Sequence, residues 1–147
     1  MTGTSIRKAN LQDVPAIVDC IDAAYDRYLG VIADLPPVSQ GVDQDIAEND
    51  VWVVETDDAL AGVLVLVVPD GADFIKLANV AVHPGHGGKG LGRLLIDKAV
   101  ARAKQQGFGE IRLNTHAAMT DNVGLYEHLG WRVIGRSETT VSMSRKI

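Results

Sequence analysis

The chain has a single cysteine among its 147 residues, so no internal disulfide can staple it. Cys20 recurs at helical spacing with Ile17, Ile21 and Ala24, which predicts a buried structural thiol and not a nucleophile. Membrane-length apolar runs are also missing. Even ALAGVLVLVV falls well short of the roughly 20 residues a spanning helix needs. The opening MTGTSIRKAN has no signal-peptide core, and a cytoplasmic address is the expectation. Basic excess is absent too: 14 Lys and Arg stand against 19 Asp and Glu, a net charge of −5 that argues against sequence-independent binding to nucleic acid. There is no internal repeat, linker or low-complexity segment. With 46% hydrophobic and 22% charged residues, the chain reads as one globular domain, 1–147, able to bury a core.

What is present is unevenly spread. Residues 1–60 hold twelve Asp or Glu against three Lys or Arg, whereas residues 61–147 hold seven against eleven. The coarse order is strand, helices, strands, helix, strand, helix, strands. SIRKA reads as a strand and NLQDVPAIVDCIDAAYDRYL as a helix capped by Asn10. GVIADLPPVSQG, broken by Pro36, Pro37 and Gly41, reads as a loop or lid, and DQDIAEND as a short helix. VWVVE, LAGVLVLVV and FIKLANVAV form a meander. A helix follows with Leu91, Leu94, Leu95, Ile96, Ala99 and Val100 on its apolar face and Gly107 at its end. EIRLNTH is a strand, TDNVGLYEHLG a helix capped by Thr120 or Asp121 and stopped by Gly130, and WRVIGR and TTVSMSRK close the chain as strands.

Between the meander and that apolar helix lies HPGHGGKGLGRLL. Glycines there allow positive φ and close approach of a ligand, and the first helical turn leaves N–H groups unpaired, so the segment reads as an anion site. Lys89 and Arg93 add positive charge at its edge. A P-loop is excluded because Lys89 is followed by Gly90, and the dinucleotide fingerprint because GKGLG has the wrong final spacing and follows a meander.

NVAVHPGHGGKGLGRLLI resembles the acetyl-CoA motif of the GNAT superfamily of acyl-CoA-dependent N-acyltransferases, and LYEHLGWRVIG resembles that family's last motif. LNTHAAMTDNVGLYEHLGW is further similar to a bacterial subgroup with an MTEN-like element before LY. The resemblance implies an α/β fold of the α+β type. Its central sheet is mixed and mostly antiparallel, with about seven strands splayed between strands 4 and 5, and it carries about four helices. It also implies an N-acetyltransferase that moves an acetyl group from acetyl-CoA, with no metal, to a primary amine of a small molecule or peptide by direct attack. The implied assembly is a monomer or homodimer, with neither nucleic acid nor membrane as partner.

The site residues implied by the resemblance fall into three sets. The pyrophosphate would rest on Gly87, Gly88, Lys89, Gly90, Leu91, Gly92 and Arg93, and the pantetheine arm on Val80, Ala81, Val82 and Asn122. A bulge in the fourth strand would aim an N–H at the thioester carbonyl. Tyr126 would meet the sulfur and act as general acid, because a thiolate leaving group has an ordinary pKa of about 8.5. The acceptor would contact Tyr25, Tyr28, Asp22 and Asp26, whose acidic groups would steer a cationic amine. Two positions depart from the pattern: Gly87 stands where the family has Gln or Arg, and Ala78 where related chains often have an acid. The base is therefore unassigned among Asn79, His83, His86, His116 and Asp73, with His116 preferred and bulk water as another route. An acyl-CoA sensor without turnover is the alternative reading, and a protein using the loop for ATP or NAD is a third.

Overall fold

The structure is a computed structural model that describes residues 3–26 and 40–147. Strand β1 (Thr4–Lys8) is followed by the capping signal read at Asn10. Asn10 Oδ1 accepts the Gln12 N–H at 2.9 Å and the Asp13 carboxylate accepts the Asn10 N–H at 2.8 Å, a reciprocal box that satisfies two otherwise orphaned donors. It opens a 3-10 turn over Leu11–Asp13, so α1 (Val14–Tyr25) starts later than the sequence suggests. Arg7 forks onto both oxygens of Asp13 at 2.8 Å and locks this junction to β1. The expected end of this helix near Leu29, the Pro36–Pro37 loop and Tyr28 lie outside the described residues.

Helix α2 (Val42–Glu48) matches the short helix read in DQDIAEND. Strands β2 (Asp50–Thr56) and β3 (Ala59–Val67) join through Asp57 and Asp58, both at positive φ, the two-residue turn whose twist suits a hairpin. Then come β4 (Ile75–Val82), α3 (Leu91–Gln105), β5 (Glu110–His116), α4 (Thr120–His128), β6 (Arg132–Arg136) and β7 (Thr140–Lys146). Gly107 at φ 83° and Gly130 at φ 95° end α3 and α4 as read.

The seven strands hydrogen-bond in the order β1-β2-β3-β4-β5-β7-β6. Neighbours run antiparallel in the β1/β2, β2/β3, β5/β7 and β6/β7 pairs and parallel in β4/β5. The β4/β5 ladder covers only Ile75–Leu77 against Ile111–Leu113, although β4 runs on to Val82 and β5 to His116, which is the expected splay. Irregularities in the described ladders fall at Ala61 of β3 and Ile134 of β6, each skipped in its register.

The chain divides into two compact units, residues 1–66 with 79–99 and residues 67–78 with 100–147. In the first, Ile17 and Ile21 of α1, Val53 and Val54 of β2, Leu64 of β3, and Leu95 and Ile96 of α3 are buried. In the second, Ile75, Ile111, Leu113 and Met143 fill one sheet face. Two expectations need correction. Leu94 is 38% exposed, because the stripe through Leu91, Leu95 and Ala99 already takes the buried side of α3. The cap of α4 is neither Thr120 nor Asp121 but Met119, whose burial fixes the start. Its sulfur accepts from Asn122 Nδ2 at 3.5 Å and its carbonyl from the Asn122 and Val123 N–H groups.

Candidate functional site

In the unit formed by residues 1–66 and 79–99, the end of β4 presents Ala81 buried, with Val80 and Val82 half-buried. Gly62 on β3 allows a close approach: a Cβ there would lie 2.8 Å from Val54 Cγ1, 3.0 Å from Leu95 Cδ1 and 3.1 Å from the Ala81 carbonyl oxygen. His83 then anchors the loop twice. Its N–H reaches the Ala61 carbonyl at 2.8 Å, and its Nδ1 accepts the Gly85 N–H at 3.0 Å, capping a 3-10 turn over Pro84–His86. Its role is to shape the loop, which the sequence left undecided.

The glycines that follow differ from one another. Gly88 and Gly90 take φ 78° and 74°, a region that costs any residue with a Cβ about 1–2 kcal/mol. Gly87 does not: it sits at φ −62°, ψ 155°, and a Cβ would meet only the Pro84 oxygen at an ordinary 3.5 Å. The left-handed pair turns the chain into α3, where the Leu94 N–H bonds the Gly90 carbonyl at 3.1 Å. The N–H groups of Leu91, Gly92 and Arg93 therefore precede the first intrahelical bond, at the positive end of the helix dipole. Lys89 Nζ lies 3.1 Å from His86 Nδ1 and 3.5 Å from Asp57 Oδ2, and Arg93 is exposed. An anionic group of phosphate type fits this loop, through main-chain donors and the exposed cations Lys89 and Arg93.

The expected acceptor residues in this unit are less uniform. Asp22 and Asp26 are exposed, whereas Tyr25 is half-buried and its hydroxyl donates to Asn79 Oδ1 at 3.4 Å. An amide oxygen has no basic lone pair at neutral pH, so Asn79 is a hydrogen-bonding group and not a base. Cys20 is 1% exposed, and burial pushes its thiol up to about 11, against a smaller opposing effect of a backbone hydrogen bond from His83. It is the inert core thiol expected from its spacing.

In the unit formed by residues 67–78 and 100–147, β5 ends at His116, whose carbonyl accepts the Met119 N–H at 2.9 Å as the chain enters α4. His116 Nδ1 accepts the Ala118 N–H at 3.1 Å. With Nδ1 so engaged, the neutral ring carries its proton on Nε2, which makes that nitrogen a donor. Tyr126 is 5% exposed and packs edge-on against Trp131, with ring centroids 5.4 Å apart. The Trp131 backbone N–H closes α4 on the Tyr126 carbonyl at 2.9 Å, which keeps the two rings of the Tyr-Glu-His-Leu-Gly-Trp segment together. Asn122, four residues earlier on the same helix face, is half-buried and tied to Met119.

Sequence reasoning missed Gly62, the Tyr25–Asn79 hydrogen bond and the Asp57–Lys89 contact, since each depends on strand register. A lone glycine inside ALAGVLVLVV was the one available signal for close backbone approach. Among the described residues, no group of three or more His, Cys, Asp or Glu is placed to hold a metal ion, and no helix is long and apolar enough to cross a membrane.

Residues 19–131 match the profile of the family described as acetyltransferase (GNAT) family. An uncharacterized N-acetyltransferase of Escherichia coli strain K12, YjgM, is 30% identical over 140 residues, covering 88% of this chain and 82% of that protein. Among solved structures, PaiA N-acetyltransferase from Thermoplasma acidophilum in complex with coenzyme A superposes with a TM-score of 0.87 at 18% identity, over 99% of both chains. A GNAT family acetyltransferase from Elizabethkingia anophelis with acetyl-CoA bound gives 0.77 at 15% identity, over 98% of both. At such identities these structures speak for the fold alone.

Proposed function

The chain belongs to the acetyltransferase (GNAT) family, and from that premise we propose that it is an N-acetyltransferase that transfers the acetyl group of acetyl-CoA to a primary amine. The observation that carries this reading is the loop into α3. Its two left-handed glycines, with the N–H groups of Leu91, Gly92 and Arg93 ahead of the first intrahelical bond of α3, suit a main-chain cradle for a pyrophosphate. Gly87–Gly92 and Arg93 hold the diphosphate in this reading. Val80, Ala81, Val82 and Asn122 serve the pantetheine arm, with backbone donors of β4 available to the thioester carbonyl.

The bound thioester supplies the activated acyl group. The neutral amine nitrogen forms the new C–N bond, the C–S bond breaks, and Tyr126 delivers its phenolic proton to the departing sulfur. One amine proton leaves to solvent or to a protein base. His116 serves as that base only after the Ala118 N–H releases Nδ1, which favours solvent as the sink. The acceptor is a small molecule or peptide amine, with Tyr25, Asp22 and Asp26 as its contacts. The CoA-linked loop and the LYEHLG tyrosine occurring together favour turnover over a binding-only sensor.

The test is a thiol-release assay on an amine panel, with equilibrium titration of acetyl-CoA, ATP and NAD alongside. Acetyl-CoA binding with amine-dependent thiol release is the expected result. Binding without release for any amine would return the sensor reading, and competition by ATP or NAD would point to a nucleotide.

A further inference from the structure

The end of α4, within the unit of residues 67–78 and 100–147, turns the chain back onto its own last turn. Gly130 at φ 95° makes the reversal, its N–H reaches the Glu127 carbonyl at 3.1 Å, and the Trp131 N–H reaches the Tyr126 carbonyl at 2.9 Å. These two bonds are the pair of a Schellman cap, which returns the residue after the glycine to a side chain one turn inside the helix. Here that side chain is the Tyr126 phenol. The indole of Trp131 meets it edge-on, with centroids 5.4 Å apart and planes at 62°. Both residues are buried, Tyr126 at 5% exposure and Trp131 at 3%.

A hydrophobic contact often accompanies such a cap, and a leucine or a phenylalanine at position 131 would supply one. The indole carries a burden that neither would. Trp131 Nε1 is buried with no hydrogen-bond partner among the described residues. An N–H group buried unpaired costs stability, so packing alone favours a side chain without the nitrogen. What the indole supplies in exchange is reach: its wider ring system presses on the phenol over a larger area than a phenyl ring would.

That pressure bears on the residue assigned the proton transfer. A side chain chooses among staggered rotamers unless packing selects one, and a general acid must hold its proton within hydrogen-bond reach of the leaving atom. A misplacement of about 1 Å can cost about 100-fold in rate. We propose that Trp131 is a positioning residue for the proton donor, wedging the Tyr126 phenol in the rotamer that presents its hydroxyl to the departing sulfur. The step it serves is the one in which the C–S bond breaks and the phenolic proton passes to sulfur. This rests on the reading of Tyr126 as general acid.

The test is a double-mutant cycle on kcat, with Trp131→Leu and Trp131→Phe each made in the wild type and in Tyr126→Phe. Thermal unfolding sets an assay temperature at which every variant is folded, and Trp131→Phe carries the cycle if Trp131→Leu does not fold. In the wild-type background kcat should fall about tenfold in Trp131→Leu and about threefold in Trp131→Phe, with acetyl-CoA affinity within about twofold. In the Tyr126→Phe background the same changes should leave kcat within about twofold, because the proton they place is gone. A structural role alone lowers kcat by the same factor in both backgrounds. That additive result, or an undiminished kcat in the wild-type background, overturns the positioning role and leaves the acid standing. If Tyr126→Phe is itself as fast as the wild type, or no amine is acetylated, the general-acid reading fails and the positioning role falls with it.

Discussion

The two compact units present their polar chemistry by different means. In residues 1–66 and 79–99 the main chain does so: the loop's value lies in N–H groups exposed by Gly88 and Gly90, and its histidine and lysine side chains make local contacts. In residues 67–78 and 100–147 side chains do so, with Tyr126 wedged on Trp131 and Arg112 clamped by Glu110 and Phe74. The units differ in charge as well. The first holds six Lys or Arg against thirteen Asp or Glu, the second eight against six. A main-chain site depends on φ angles and is damaged by adding a methyl group. A side-chain site depends on partners across strands and is damaged by removing an atom.

The largest break in this comparison is expected in the second unit. Tyr126→Phe keeps the ring against Trp131 and removes only the hydroxyl, so kcat should fall about 100-fold or more, the scale of a general acid. Acetyl-CoA affinity should stay within about threefold, because binding and proton transfer are separable in such a variant. Steady-state kinetics with a parallel binding titration measures both. A kcat within a factor of two of wild type would reduce Tyr126 to a core ring.

Adding atoms to the first unit comes next. Gly62→Ala forces a Cβ against Val54 Cγ1, Leu95 Cδ1 and the Ala81 carbonyl, and overpacking of this kind costs about 1–3 kcal/mol. The melting temperature should drop by several degrees, at about 2–4 °C per kcal/mol for a chain of this size. Gly90→Ala has open space but the wrong φ, so a penalty of about 1 kcal/mol should weaken acetyl-CoA roughly fivefold in calorimetry. Gly87→Ala should change nothing, since its φ suits any residue. Equal losses at Gly87 and Gly90 would mean that the loop rearranges on binding.

That contrast also shows what a sequence can disclose. The glycine loop was legible because glycine reports directly on backbone conformation, and Gly107 and Gly130 were legible as caps for the same reason, whereas Asn10 was legible because its side-chain oxygen can accept a first-turn N–H. Even so, HGGKGLG does not distinguish Gly87, which tolerates a side chain, from Gly88, which does not. The alignment of basic residues across the second unit's sheet was not legible at all. Lys76, Arg112 and Arg132 are far apart in the chain, and only the β4-β5-β7-β6 register aligns them. Nor does TTVSMSRK show that Ser144 is fully buried with its hydroxyl on Glu110. The tautomer of His116 likewise follows from a turn, Ala118 N–H onto Nδ1, that composition does not reveal.

The smallest effect probes the clamp of Arg112 on Glu110. The Arg112 hydrogen bonds, then the Ser144 hydroxyl, hold the Glu110 carboxyl below the usual glutamate range. A carboxylate with a lowered folded-state pKa stabilises the fold above its unfolded-state pKa. That contribution is lost as pH falls through the lower folded value. Glu110→Gln keeps the shape but not the charge, so at pH 6–8 it should melt below the wild type by at most about 4 °C, the range of a partly exposed ion pair. The gap should be constant down to about pH 4, the ordinary glutamate pKa, and close below it as Glu110 itself becomes neutral. Urea midpoints measured from pH 7 to pH 2 follow this directly. A gap that persists undiminished at pH 2 would place the stabilisation in the geometry of the Ser144 contact and not in the charge of the Arg112 clamp.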